Sequence, residues 1–367
     1  MSGFFRLKKI DAQLHEITGR ISFMHINPIN LYDEQEKVLA DPDYNPQFRY
    51  SELPFDPDKV QEALDAIDQN DSVLGEILEH KRRIALDKID MLANRGNRKF
   101  SIYSRKAYGL PSDTTLKKAA ELLLLDSDKE DKTVMSKNAL HVLKSELIHY
   151  GFDYHIAEKE MSATASVLVS TKKMFLKKDY PLSPNYVKRL IVHEIGTHVL
   201  RAENGREQPF KIFMHGFPNY LVTEEGLAVY NEERFGLMLN ENLRNYAARA
   251  MAVKMAQTGS FASVYNHLRQ FFGDQWAFRL ASRVKRGLED TEKPGGATRD
   301  YAYIEGYLKV KGFLASAEPA KNNNGPLKQL YYGKIGLEHV DKLKEIPGLV
   351  QPKFLPKNQT FKSLLSF

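Results

Sequence analysis

Apolar positions along this chain recur mostly at the spacing of an α-helix, and in one stretch at the spacing of a strand. From Pro57 to Asn94, Leu74, Ile77, Leu78, Ile84, Ala85 and Met91 follow a helical period, and Gly96 comes next as a stop. The length predicts two helices there. Leu116 to Leu125 reads as a short apolar helix, and Val134 to Tyr150 as another closed by Gly151. Asp126 to Lys132 is a charged loop, and Arg95 to Pro111 a connector holding Tyr108-Gly109. Residues 1–55 mix short helical signals with breaks at Pro28, Pro42, Pro46 and Pro54. The texture changes between Ala163 and Lys178, where Val167 and Val169 share one face and Leu168 takes the other. That alternation predicts a strand pair. Ser183-Pro184 then opens a helix, with Ser as N-cap and Pro in the first turn. It is expected to run to about Asn204 and stop at Gly205. A helix from Thr223 to about Phe235 follows, with more between Asn242 and Leu288. The tail carries a polar loop at Asn322-Asn323-Asn324-Gly325 and a last helix near Leu337 to Ile346. The pattern is mostly helical, with a small sheet just before the 183–204 helix, and holds no internal repeat.

Composition narrows the chemistry. The chain of 367 residues is 42% hydrophobic and 27% charged, as a globular protein should be. No apolar run nears the roughly 20 residues that a membrane helix needs. The N-terminus lacks a secretory pattern, so a cytoplasmic location is expected. There is no cysteine, so any metal must be held by His and carboxylate groups. The net charge of +6 favours anionic partners, although a mildly basic solvated surface gives the same number.

His193-Glu194-Ile195-Gly196-Thr197-His198 is the most informative stretch. The zinc-peptidase signature H-E-x-x-H places two imidazoles about 40° apart on a helix, so both reach one ion. Here the interval is five residues, which separates them by about 140° on an α-helix. A π-bulge absorbs one extra residue and restores the facing, and Gly196 would ease it. The spacing therefore predicts a π-bulge between His193 and His198. Two histidines at this spacing also arise by chance in helices with no metal. Three features favour the metal: Glu194 follows the first His as a general base should, Leu190-Ile191-Val192 is apolar, and a later helix opens on Glu224-Glu225-Gly226-Leu227-Ala228.

A catalytic zinc takes three protein ligands and leaves one position open. Glu225 is the first choice for the third. Glu224 competes, with a bland role at the helix start, and Glu203 is a weaker alternative. Gly226 would let two helices approach closely. Glu194 would take the proton of the attacking water.

His193 to His198, followed by Thr223-Glu224-Glu225-Gly226-Leu227-Ala228, resembles the microtubule-associated tyrosine carboxypeptidases and their bacterial QEGLA-motif relatives. Pro28-Ile29-Asn30 and Tyr44-Asn45-Pro46-Gln47-Phe48-Arg49-Tyr50 look like the family's N-terminal signature. Arg283 to Gly287, Asp290-Thr291, Pro294-Gly295, Asp300, Tyr303, Gly306 and Val340 to Glu345 match later blocks. The likeness covers residues 10–355. It departs at Glu224, where the bacterial motif has Gln. The resemblance implies an α+β, mostly helical fold with a zincin-like metallopeptidase core. It places an N-terminal helical region at 1–95 and a catalytic domain at 96–367. It also implies a zinc carboxypeptidase removing a C-terminal tyrosine from α-tubulin, with His193, His198 and Glu225 as ligands and Glu194 as base.

A carboxypeptidase must read a free carboxylate, which Arg does through paired hydrogen bonds. Arg283 and Arg286 are the first candidates and Arg299 the second; for each, a solvated helix face is the bland alternative. Tyr303 is the candidate donor to the oxyanion, with core packing as its alternative. His215 is a further candidate near the metal or substrate, and the strand near Ala165 to Ser170 can pair with a peptide tail. The expected partner is a protein or peptide C-terminal tail, acidic and ending in Tyr; nucleic acid and membrane are not expected. Two other readings compete: a regulatory protein that binds a tail without cutting it, and a small-molecule zinc hydrolase. The intact Glu194 argues against the first.

Overall fold

The computed structural model describes residues 3–19, 21–128, 130–161, 163–316 and 325–357. The expected loop at Asn322-Asn323-Asn324 and Lys129 of the charged loop fall outside them. In chain order the helices are α1 (Gly3–Thr18), α2 (Leu31–Ala40), α3 (Pro57–Asp65), α4 (Val73–Ala93), α5 (Lys99–Tyr108), α6 (Asp113–Leu123), α7 (Ser136–His149), α8 (Pro184–Leu190), a π-helix (Ile191–Val199), α9 (Leu200–Arg206), α10 (Ile212–His215), α11 (Tyr220–Arg234), α12 (Asn240–Ala256), α13 (Phe261–Leu268), α14 (Asp274–Lys285), α15 (Ala302–Ser316) and α16 (Pro326–Gln329). The strands are β1 (Val134–Met135), β2 (His155–Lys159), β3 (Ala165–Leu168), β4 (Lys173–Lys177) and β5 (Pro181–Leu182). The fold is mostly helical with small sheets, an α+β composition.

The chain divides into two compact units, 1–126 with 242–305 and 127–241 with 306–367. In the first unit, α3 and α4 form the expected helix pair. Asp56 caps α3 through the amides of Asp58 and Lys59, and Ser72 caps α4 through Gly75. The stretch read as a connector is helix α5. Its buried stripe is Phe100, Ser101, Ser104 and Ala107, and the two serines hid the apolar period. They are buried because their Oγ atoms accept the amides of Gly296 (2.7 Å) and Thr298 (3.0 Å).

The N-terminal signature explains itself as a clamp. Asn30 donates to the Gln47 carbonyl and accepts from the Arg49 amide, and Glu34 accepts from Tyr44 and from the Gln47 amide. Tyr50 donates to Leu288 O at 2.8 Å and accepts from the Gly287 amide at 2.7 Å, so residues 44–50 and 283–291 lock together. Gly287, at φ 94°, lies against Phe100; a Cβ there would meet the ring at 2.1 Å.

In the second unit the expected strand pair is β3 antiparallel to β4, with Ala165 opposite Leu176. β2 adds a third strand parallel to β4, giving the order β2-β4-β3. The sequence did not announce β2, because its residues are all half-buried or exposed and show no alternation. Val134-Met135 pairs with Pro181-Leu182 rather than opening α7. The last expected helix is two 3-10 turns, Leu337–His339 and Asp341–Glu345. Gly205 is not the stop: α9 runs through it to Arg206. Its missing Cβ makes room for the Phe213 carbonyl, which a side chain would meet at 2.3 Å.

Candidate metal centre

Ser183 caps α8 by accepting the Tyr186 amide at 3.0 Å, and Pro184 follows in the first turn. The helical path then runs without interruption through the π-helix into α9. The expected π-bulge is here as a nine-residue π-helix, Ile191–Val199. Its register shows at the exit, where the Leu200 amide reaches back to Ile195 O. One added residue per turn brings the two imidazoles together, with ring centroids 5.1 Å apart. A Cβ at Gly196 would meet only ordinary contacts, the nearest at 3.5 Å. Space is therefore not what places a glycine there.

Helix α11 supplies the rest. One ligand atom each from His193, His198 and Glu225 lie within 4.8 Å of one another. Glu225 Oε2 stands 3.8 Å from His193 Nε2 and 3.9 Å from His198 Nε2. Bonds of 2.0–2.1 Å to a tetrahedral ion would set ligand atoms about 3.4 Å apart, so a small contraction seats one. The other ring nitrogens are already engaged. His193 Nδ1 is 2.7 Å from Glu232 Oε1, and His198 Nδ1 is 2.9 Å from Glu224 Oε1. A carboxylate only accepts, so each ring presents its Nδ1–H to the outer carboxylate and aims Nε2 at Glu225, where a bound cation would take the place of the Nε2 proton. This donor set of two imidazoles and one carboxylate fits a zinc ion.

The electrostatics fit a cation as well. Burial opposes charge on His193, but hydrogen bonds to Glu225 and Glu232 outweigh it and push its pKa up to about 10. Burial would also raise the Glu224 carboxyl. Lys334, Arg201 and His198 instead hold it well below the usual carboxylate range. Arg201 donates to Glu224 Oε2 at 2.5 Å, Lys334 sits 3.1 Å from Oε1, and Arg189 donates to Glu232 at 3.1 Å. Glu194 is half-buried, and its charge acts on His193.

The family model described as microtubule-associated tyrosine carboxypeptidase matches residues 38–366. The chain belongs to that family. The "Putative tyrosine carboxypeptidase MATCAP2" of Mus musculus is 28% identical over 199 residues, 52% of this chain and 36% of the mouse protein. The "Microtubule-associated tyrosine carboxypeptidase 1" of Mus musculus is 30% identical over 132 residues, 34% of this chain and 27% of that protein. The MATCAP2 of Homo sapiens is 26% identical over 197 residues, 52% of this chain and 36% of its own length. The chain spans about a third of the length of these relatives.

Within this family member, the competitors for third ligand have other work. Glu224 holds His198. Glu203 accepts from Tyr154 at 2.9 Å and pairs with Arg206 and Lys172, and it is not among the converging atoms. His215, at the end of α10, is not among them either. Gly226 does permit a close helix approach, but to Gly306 on α15 rather than to the motif helix; a Cβ would meet Gly306 C at 2.0 Å. Arg283, Arg286, Arg299 and Tyr303 belong to the first unit. Arg283 grips Asp300 with two nitrogens, and Arg286 is 3.9 Å from the same carboxylate. The Arg286 and Arg299 guanidiniums each lie 4.9 Å from the Phe23 ring. Tyr303 stacks on Tyr246 at 5.3 Å, with Arg249 over its ring at 4.3 Å.

The sequence did not show the contact of Glu232 with His193, that of Glu224 with His198, or the cations behind them. A signal was present. Glu225 and Glu232 are seven residues apart, as are Glu224 and Asn231, and seven residues return to the same helix face within about 20°. Two adjacent polar stripes on a buried helix announce a site facing the motif.

Proposed function

We propose that this chain is a zinc-dependent carboxypeptidase with a zincin-like core, cleaving the last peptide bond of a protein tail and releasing a C-terminal tyrosine. What carries the reading is the convergence of His193, His198 and Glu225, with both imidazoles turned inward by Glu232 and Glu224. A zinc ion held there would polarise the scissile carbonyl and lower the pKa of a water towards about 7. Glu194 would accept the proton of the attacking water at its carboxylate and return it to the leaving amine. Glu232 and Glu224 keep the Nδ1 protons in place and fix the ring orientations.

Tyr303 as oxyanion donor and Arg283, Arg286 and Arg299 as readers of the free carboxylate complete the proposal, on the family likeness and on guanidinium chemistry. The printed names of the relatives point to tyrosine-ended tails on microtubules, and the net charge of +6 suits an acidic tail. Catalysis is assigned to residues 96–367, in the cytoplasm.

The test is mass spectrometry of a peptide ending in Glu-Tyr, as free acid and as amide. Loss of Tyr from the free acid alone is expected. Equal cleavage of both forms would make the enzyme an endopeptidase, and binding without cleavage would make it a tail-binding protein.

A further inference from the structure

A π-helix needs support. Each widened turn puts backbone carbonyls out of α-register, and a segment left to itself relaxes to the α-form. In that form five residues separate His193 and His198 by about 140°, and no single ion sees both. The structure shows what opposes this. The Tyr331 hydroxyl donates to Gly196 O at 2.8 Å, inside the interval between the two histidines. Thr197 Oγ1 donates to Val192 O at 3.0 Å, a side-chain bond across five residues that repeats the π-step. Asn231 Nδ2 joins the two hydroxyls, donating to Thr197 Oγ1 at 2.8 Å and to Tyr331 Oη at 2.9 Å. All three side chains are fully buried. The hydroxyl directions agree around the network: each hydroxyl donates to a π-helix carbonyl and accepts from the one amide group.

We propose that Tyr331, Asn231 and Thr197 form a clamp that holds residues 191–199 in π-register and so sets the distance between the two imidazoles. They are positioning residues, since none reaches the converging atoms. The clamp rests on the reading of His193 and His198 as metal ligands. Asn231 comes from α11, the helix that also carries Glu224, Glu225 and Glu232. One helix therefore fixes both the register of the motif and the carboxylates around it. Tyr331 precedes Gly333 and Ile335, whose carbonyls, with that of Leu330, accept from Arg201 of α9. The hydroxyl is thereby delivered by a segment tied to the same helical path.

The test uses the full chain with Tyr331→Phe, Thr197→Val and Thr197→Ser. Zinc affinity is measured by chelator competition, and the visible spectrum is recorded after cobalt substitution. Tyr331→Phe and Thr197→Val are expected to lose at least ~10-fold in affinity and to change the cobalt bands, while Thr197→Ser, which keeps the hydroxyl, stays near wild type. Amide hydrogen exchange over residues 191–200 of the metal-free protein is the second arm, with loss of protection expected in the first two variants only. Wild-type affinity, spectrum and protection in both Tyr331→Phe and Thr197→Val would overturn the clamp. If the wild type takes up no metal, the metal reading fails on its own, and the exchange arm decides the clamp: lost protection supports it and unchanged protection refutes it.

Discussion

Each unit holds a cluster of charges, and the two are built around opposite signs. In the second unit Glu224, Glu225 and Glu232 surround two imidazoles, with Arg201, Lys334 and Arg189 behind them. The cations there lie against the outer carboxylates Glu224 and Glu232, and Glu225 is the carboxylate left facing the Nε2 atoms. That demand for positive charge is why His193 is pushed up to about 10. In the first unit the Asp300 carboxylate serves Arg283 and Arg286 and feels Arg249 as well. Burial and the repulsion of Arg283 and Arg299 bring Arg286 down to about 10, against the pull of Asp300. Burial and Arg299 bring Lys88 down to about 8. The lesson is that buried ion pairs do not by themselves mark a site. The sign of what is left over says which ligand the cluster can take.

The largest effects should separate the clusters by metal content. Glu225→Ala should cut bound zinc from about one per chain to a small fraction, read by elemental analysis, and with it nearly all turnover. Asp300→Asn should leave zinc content unchanged. Zinc loss in Asp300→Asn, or full zinc in Glu225→Ala, would break the contrast. Glu194→Gln sharpens it within the metal cluster. A carboxamide cannot accept the water proton, so kcat should fall about 10²–10⁴-fold while zinc content and thermal stability hold.

The next effect is on stability. Glu224→Gln leaves Arg201 and Lys334 buried beside a neutral amide, which should cost about 3–5 kcal/mol. It should also weaken zinc binding about 10–100-fold by releasing His198. Asp300→Asn should cost less, about 1–3 kcal/mol, because Arg283 is 37% exposed and water takes over part of its pairing. Denaturant unfolding of both variants gives the order, and a reversal would mean that Arg286 is the more dependent cation. The pH sign is the same for both carboxylates. Each is held below its ordinary value, so its stabilisation is present above about pH 4 and is lost as the pH falls further.

How much of this could be read beforehand depends on where the cause lies. The π-helix was legible because His-x-x-x-x-His has only one way to meet one ion. The approach of Glu225 to the two histidines was legible through its neighbours in sequence. The helix α5 was not, because its buried stripe is half serine, and those serines are inside only by virtue of amides at 296 and 298. β2 was not, because parallel pairing to β4 is a long-range fact with no local period. Gly205 and Gly226 were seen as special, but the backbone that each makes room for is named only by the fold. Glu232 sat in plain view as the seven-residue echo of Glu225.

The smallest effect compares two lysines, half-buried Lys88 in the first unit and buried Lys334 in the second. Lys334 faces Glu224, and although burial opposes its charge, Glu224 and Tyr220 hold its pKa above the ordinary 10.5. Its contribution is present below that value and fades as the pH rises past it, so Lys334→Met should lose stability at pH 7. Lys88 has the opposite sign. Its ammonium lies 5.3 Å from the Tyr108 ring and meets the repulsion of Arg299, and its pKa falls to about 8. Between pH 8 and 10.5 the unfolded chain binds the proton and the folded chain does not. Stability therefore rises with pH across that window, by at most about 3 kcal/mol. Lys88→Met should be more stable than wild type at pH 7, with the difference shrinking between pH 8 and 10.5; loss of the ring contact offsets about 1 kcal/mol of the gain. Denaturant unfolding of wild type and both variants at pH 7, 8, 9 and 10 reads these slopes as differences, so other titrating groups cancel. A Lys88→Met variant that is less stable at pH 7, with no change in slope, would mean that an anion already balances the arginine cluster, and the contrast between the units would shrink to the metal centre alone.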